Sequence, residues 1–281
     1  MNKTLNIKGK LLALDAPLVM GILNVTPDSF FPDSRKQTEK AIDERIQTIL
    51  SEGADMIDLG GYSSRPDAAE VSAEEEMKRL DFAFGILKRH YSEATVSVDT
   101  FRSEIARRCV EEHGAAVIND ISGGELDPKM FATVASLHVP YILMHMKGTP
   151  QTMQQFTSYT DMQEEIMLYF AAKVDTLRLL GVNDIILDPG FGFSKTTDQN
   201  YALLDSLREF RLFDLPLLAG LSRKSMIYRF LGGSPDESLN GTTVLNTYAL
   251  LNGADILRVH DVREAKEAVR IVRKIHSPFN T

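Results

Sequence analysis

Polar residues able to bind or polarise a substrate follow short apolar runs along this chain. They are Asn24, Asp99, Asn119 with Asp120, His145, Asp188, Ser222-Arg223-Lys224, and Arg258 with His260. Of the apolar runs, only the second (residues 56–59) ends without such a group. Taken singly, an Asp or Asn at such a place is a turn former or a helix cap. Taken together, these side chains supply carboxylates, amides and cations, the groups of a pocket for a polar heterocycle beside an anion. A carboxylate accepts from two adjacent N–H donors at once, and an arginine presents a fork of donors to an oxyanion. Residues 258 and 260 are two apart, so on a strand both point the same way.

The elements that must position these groups are legible from periodicity. Residues 18–24, 56–59, 95–98, 115–118, 139–144, 184–187, 216–219 and 255–259 are short and apolar almost throughout, as parallel strands buried on both faces are. Amphipathic segments lie between them. The clearest covers 160–180, where Met162, Ile166, Phe170, Val174 and Leu177 line one face. Thr160 with Gln163 reads as its capping box and Gly181 as its stop; Ser72 with Glu75 reads as a second helix start. Gly53-Ala54, Gly114-Ala115 and Gly253-Ala254 each end a helical segment before a strand. The β-then-α repeats predict a (β/α)8 TIM barrel, in which strand C-termini converge on one mouth. Residues 5–7 and 10–14 flank Gly9 as a small hairpin suited to cap the barrel floor. No linker interrupts the pattern, so one barrel domain over residues 1–281 is expected.

Composition narrows the partners. A formal net charge of −8 argues against nonspecific binding to nucleic acid or to an anionic membrane, while leaving room for a locally positive pocket. Cys109 is the only cysteine, which excludes an internal disulfide and a thiolate metal cluster; a small buried helix residue is the expectation there. No apolar run approaches the roughly 18 residues of a membrane span, and the polar start is unlike a signal peptide. A cytoplasmic protein acting on small molecules is expected.

The motifs are more specific than the composition. Gly21-Ile22-Leu23-Asn24-Val25-Thr26-Pro27-Asp28-Ser29-Phe30 resembles the first signature of the dihydropteroate synthase family, and Gly60-Gly61-Tyr62-Ser63-Ser64-Arg65-Pro66 resembles the second. Ser97-Val98-Asp99-Thr100, Asn119-Asp120-Ile121-Ser122-Gly123-Gly124 and Asp188-Pro189-Gly190-Phe191-Gly192-Phe193 match in the same order. Ser222-Arg223-Lys224-Ser225 and Arg258-Val259-His260-Asp261 complete the series, so the likeness runs along essentially the whole chain.

The resemblance implies condensation of 6-hydroxymethyl-7,8-dihydropterin diphosphate with 4-aminobenzoate, releasing pyrophosphate through an SN1-like carbocation. It implies pterin contacts from Asp99, Asn119, Met144, Asp188 and Lys224. Diphosphate contacts would come from Asn24, Ser64, Arg65, Arg258 and His260. It places aminobenzoate against Phe30, Pro66, Phe193, Lys224 and Ser225, and makes Asp99, Lys224, Asn24 and Arg65 the groups closest to the chemistry. Asn24 would also ligate a Mg²⁺ ion carried by the diphosphate. A homodimer through outer helices is a further implication. The chain departs from the family pattern at Ser64 and Asp67 and at Phe31-Pro32-Asp33-Ser34, which puts loop closure rather than the reaction in question.

Two other uses of such a barrel leave different marks. A pterin-dependent methyltransferase domain needs no diphosphate pocket, yet Ser64-Arg65-Pro66 and Arg258-Val259-His260 are present. A noncatalytic pterin-binding paralogue would have lost key site residues, and the motifs here keep them.

Overall fold

The structure, a computed structural model, describes residues 3–25, 35–63 and 71–276. The chain opens with an antiparallel hairpin, β1 (Thr4–Ile7) and β2 (Lys10–Ala13), in which Leu5 faces Leu12. Parallel strands then alternate with helices: β3 (Leu18–Asn24), α1 (Arg35–Ser51), β4 (Met56–Gly60), α2 (Ala73–His90), β5 (Val96–Asp99), α3 (Ser103–His113), β6 (Val117–Asp120) and α4 (Met130–Leu137). They continue as β7 (Tyr141–Met144), α5 (Met162–Leu179), β8 (Ile185–Asp188), α6 (Thr197–Asp205), β9 (Leu218–Ala219), α7 (Ser225–Leu231), α8 (Leu239–Leu251), β10 (Ile256–Val259) and α9 (Val262–His276).

The strands hydrogen-bond in the order β8-β7-β6-β5-β4-β3-β10-β9. A parallel bridge from Leu187 to Leu217, with the Leu187 N–H donating to the Pro216 carbonyl at 2.9 Å, joins the two ends. The sheet is therefore the expected TIM barrel. Every second side chain points inward, and the lower interior is filled by Leu18, Met20, Met56, Val117, Ile186 and Ile256 with their neighbours. Leu5 is fully buried against this layer, so the hairpin does plug the floor. The Asn6 N–H donates to Asp184 (2.9 Å) and Lys3 pairs with Asp255 (2.7 Å), fastening the plug to the strand entries of β8 and β10.

Outward strand residues such as Leu59, Val98, Leu143 and Leu187 pack on the helices, among them Ile166, Phe170, Val174 and Leu177 of α5. The cap of α5 is Asp161, whose side chain accepts from the Glu164 N–H at 3.0 Å, and not Thr160 as the sequence pattern predicts. Thr160 sits one residue too early, and its N–H is taken by Glu165. Ser72 caps α2 as expected, but Glu75 turns to Arg79 instead of closing a reciprocal box. The repeat is also less regular than predicted. β9 is two residues long, and two helices, α7 and α8, follow it. Cys109 is buried on α3. Among the described residues no helix is long and apolar enough to cross a membrane.

Candidate active site

Above the apolar layers the inward positions change character. Asp58, Asn119, Met144, Asp188 and Arg258 follow inward apolar residues on their strands, Ser97 lies across from Asp58, and Asn24, Asp99 and His260 stand near the rim. Register brings them side by side: Gly60 lies across from Asp99, Asp99 from Asn119, and Met144 from Asp188.

Arg258 organises this layer. Its Nε donates to Asp58 Oδ2 at 2.6 Å and its Nη2 to Asp99 Oδ2 at 2.7 Å. Asn119 Nδ2 donates to the same Asp58 oxygen at 3.0 Å. Asp58 is fully buried, and its other oxygen, Oδ1, has no partner among the described residues. Sequence reading missed Asp58 and left the second strand without a polar group. The signal was there, because a lone carboxylate inside a strand buried on both faces must be paired to be tolerated.

Burial pushes the Asp99 carboxyl upward, against the pull of Arg258, and raises Asp188 against the pull of Lys224. Asp188 Oδ1 accepts from the Gly190 N–H at 2.8 Å, which fixes one oxygen of the carboxylate. Lys224 comes down to about 8 because burial outweighs the attraction of Asp188. Its ammonium donates to the Phe191 carbonyl and lies 4.8 Å from the Phe193 ring centre. Met144 belongs to an apolar patch with Ile121, Met146 and Met153, against which Phe193 packs. A flat ring could therefore meet polar edge groups and an apolar wall in one place. Ser225 opens α7 next to Lys224 and is half-buried.

His260 and Ser222 exchange two hydrogen bonds. The His260 N–H donates to Ser222 Oγ (3.1 Å), and the hydroxyl meets the ring Nδ1 at 3.0 Å. With the hydroxyl donating to Nδ1, the ring proton sits on Nε2, free to donate outward. Burial and the nearby Arg258 charge hold His260 down at about 4, so the ring is neutral near pH 7.

Three residues flagged by sequence do not reach the mouth. His145 alternates outward from Met144, stacks edge-on against Tyr169 at 4.9 Å and meets Lys195 Nζ at 3.1 Å. Asp120 alternates outward from Asn119 and accepts from Ser122, Gly124 and Tyr141, fixing the turn after β6. Arg223 pairs with Asp261. Phe30, Ser64, Arg65 and Pro66, with Phe31, Pro32 and Asp67, lie outside the described residues.

The rim also bears on the expected Mg²⁺. A Cβ built on Gly60 would lie 3.2 Å from Asn24 Oδ1 and 3.8 Å from Asp99 Oδ2, so a side chain at 60 would crowd a gap edged by two oxygens. An amide oxygen and a carboxylate are hard donors of the kind Mg²⁺ accepts, and too few for a cage without further oxygens.

Comparison with known proteins agrees with this geometry. The family described as pterin binding enzyme matches residues 20–260. The chain is 42% identical to dihydropteroate synthase of Escherichia coli K12 over 267 residues, 94% of each chain. It superposes on the Yersinia pestis dihydropteroate synthase complexed with a sulfonamide drug with a TM-score of 0.89, at 38% identity over 98% of this chain and 100% of that one. The Xanthomonas albilineans dihydropteroate synthase with 4-aminobenzoic acid gives a TM-score of 0.88 at 34% identity over 99% of both. By motif, fold and whole-length similarity, the chain belongs to the dihydropteroate synthase family of pterin-binding enzymes.

Proposed function

We propose that this chain joins the methylene carbon of 6-hydroxymethyl-7,8-dihydropterin diphosphate to the amine of 4-aminobenzoate, forming 7,8-dihydropteroate and pyrophosphate. The observation that carries the reading is the meeting of Asp188, Asn119 and Lys224 with the Asp58–Arg258–Asp99 network at one barrel mouth.

In this reading Asp188 accepts from the N3–H and 2-amino groups of the pterin, and Asn119 reads another part of the ring edge. Lys224 donates to the ring oxygen, and Met144 packs on the ring face. The carbon–oxygen bond to the diphosphate breaks first, leaving a cation conjugated with the pterin. Asp99 counters that charge, and Arg258 and the His260 Nε2–H favour the departing anion. The amine then attacks and loses a proton to solvent, so no protein nucleophile is needed. Phe193 and Ser225 border the aminobenzoate, with Phe30 and Pro66 assigned by family likeness. Asn24, Ser64 and Arg65 serve the diphosphate end on the same ground. Mg²⁺ held by Asn24 and diphosphate oxygens would neutralise part of the leaving group's charge.

The reading extends to a cytoplasmic homodimer. Exposed Phe230, Leu231, Val244, Ile271 and Ile275 on α7, α8 and α9 support a self-association face on the outer helices. The test of function is an incubation of the protein with Mg²⁺, dihydropterin diphosphate and 4-aminobenzoate. Equal amounts of dihydropteroate and pyrophosphate are expected. Absence of dihydropteroate from folded protein would overturn the reading.

A further inference from the structure

The loop between β8 and α6 carries several groups of the site. Asp188 begins it, the Phe191 carbonyl holds Lys224, and Phe193 stands beside the Lys224 ammonium. A segment of this length with two left-handed glycines, Gly190 (φ +73°) and Gly192 (φ +83°), has no strand or helix ladder of its own to fix it. Inside it the Phe193 N–H donates to the Gly190 carbonyl at 3.1 Å, and Gln154 reaches the Gly192 carbonyl at 3.4 Å, but its carbonyls still need further donors.

Lys195, at the end of the loop, supplies them from beneath. Its side chain is buried, at 3% exposure, and its Nζ meets three acceptors: the Gly190 carbonyl at 3.0 Å, the Phe193 carbonyl at 3.1 Å and His145 Nδ1 at 3.1 Å. An ammonium has three N–H donors and no acceptor, so this set uses it fully. The packing leaves little slack on the His145 side, where a Cβ on Gly190 would come within 2.0 Å of the His145 carbonyl oxygen. Ser194 is tied separately, accepting from the Lys147 N–H (2.9 Å) and from the Tyr159 hydroxyl (3.0 Å).

We infer that Lys195, backed by His145, is a positioning residue that clamps the loop from below so that Asp188, Phe193 and the Phe191 carbonyl face the substrates together. The inference rests on the function proposed above, since it is that reading that makes these groups substrate contacts. Lys195 acts through the loop, its Nζ being committed to three protein acceptors. Burial together with the charges of Lys224 and Lys147 draws its pKa down to about 7, with Asp188 pulling the other way. His145 is held down at about 2 by burial, with Lys195 and Lys147 adding to the effect, so its ring stays neutral and its Nδ1 can accept.

The test compares Lys195→Met, His145→Leu and His145→Asn with the unaltered chain, using melting temperature, calorimetric pterin affinity and steady-state kinetics. Asn places an amide oxygen near the position of Nδ1, so His145→Asn should recover much of what His145→Leu loses. In folded Lys195→Met, KM for 4-aminobenzoate and Kd for a pterin analogue should both rise roughly ten-fold, the scale of one or two charge-assisted hydrogen bonds, while kcat at saturation changes far less. A lower melting temperature with unchanged KM and Kd would overturn the clamp, leaving Lys195 as a folding residue only. If Lys195→Met does not fold, His145→Leu and His145→Asn decide by the same readouts, and equal behaviour of those two would overturn it as well. Asp188→Asn serves as the control for the site. Weakened pterin binding there, with Lys195→Met unaffected, keeps the site and overturns the clamp; no pterin affinity in the unaltered chain overturns both.

Discussion

Arg258 on the last strand reaches Asp58 on β4, two strands away in the barrel, at 2.6 Å, and the two residues stand 200 apart in sequence. Asp58 is fully buried and also receives Asn119, so one carboxylate oxygen sets the direction of two site residues. Replacing Asp58 with Asn removes the counter-charge while keeping the shape. Loss of one partner of a buried ion pair should lower stability by about 3 kcal/mol, partly relieved here because Asp99 still holds Arg258. Denaturant unfolding of Asp58→Asn checks this, and an unchanged midpoint would mean that the pair adds nothing.

In the proposed function, Asp188→Asn puts an NH2 where the pterin would present donors, so a bidentate contact would become partly repulsive. Affinity for the dihydropterin diphosphate should fall by about 2 kcal/mol, the scale of a hydrogen-bond pair to a charged group. Isothermal calorimetry measures it directly. Unaltered affinity would leave Asp188 with only its turn-forming bond to Gly190.

Asp99 has a different signature. If it counters charge that exists mainly in the transition state, Asp99→Asn should lower kcat more than it weakens substrate binding. Normal turnover with poor affinity would reassign it to ground-state recognition.

The pH profile separates Lys224 from His260. Lys224 is charged below its pKa of about 8, so kcat/KM should fall as pH rises through that region when the ammonium is the required form. His260, held at about 4, is already neutral at pH 6 and should give no limb between pH 6 and 8. Histidine NMR titration checks the second statement, and a His260 transition near 6.5 would contradict it.

Much of this is legible in the sequence alone. Barrel strands buried on both faces are apolar runs, and the C-terminal polar residues of those runs converge because the fold makes them, which is why Asp99, Asn119, Asp188 and Arg258 meet as expected. Strand alternation decided the rest. It turns Asp120 and His145 outward from Asn119 and Met144, and it turns Asp58 inward from the middle of a run that read as plain core. The role of Lys195 was hidden for another reason: its acceptors are backbone carbonyls and a histidine 50 residues away, which no local spacing announces. The α5 cap missed by one residue because Thr160 and Asp161 are both good caps by type.

In the proposed reaction the mouth separates charge before the new bond forms, and oxygen scrambling tests this most directly. Dihydropterin diphosphate labelled with heavy oxygen in the bridge between the methylene carbon and the first phosphorus is held on the enzyme with Mg²⁺ and no aminobenzoate. Reversible ionisation makes the three terminal oxygens of the departing phosphate equivalent, so recovered substrate should carry label in the nonbridging positions. Label that stays wholly in the bridge, on enzyme that turns over once 4-aminobenzoate is added, would contradict ionisation ahead of attack.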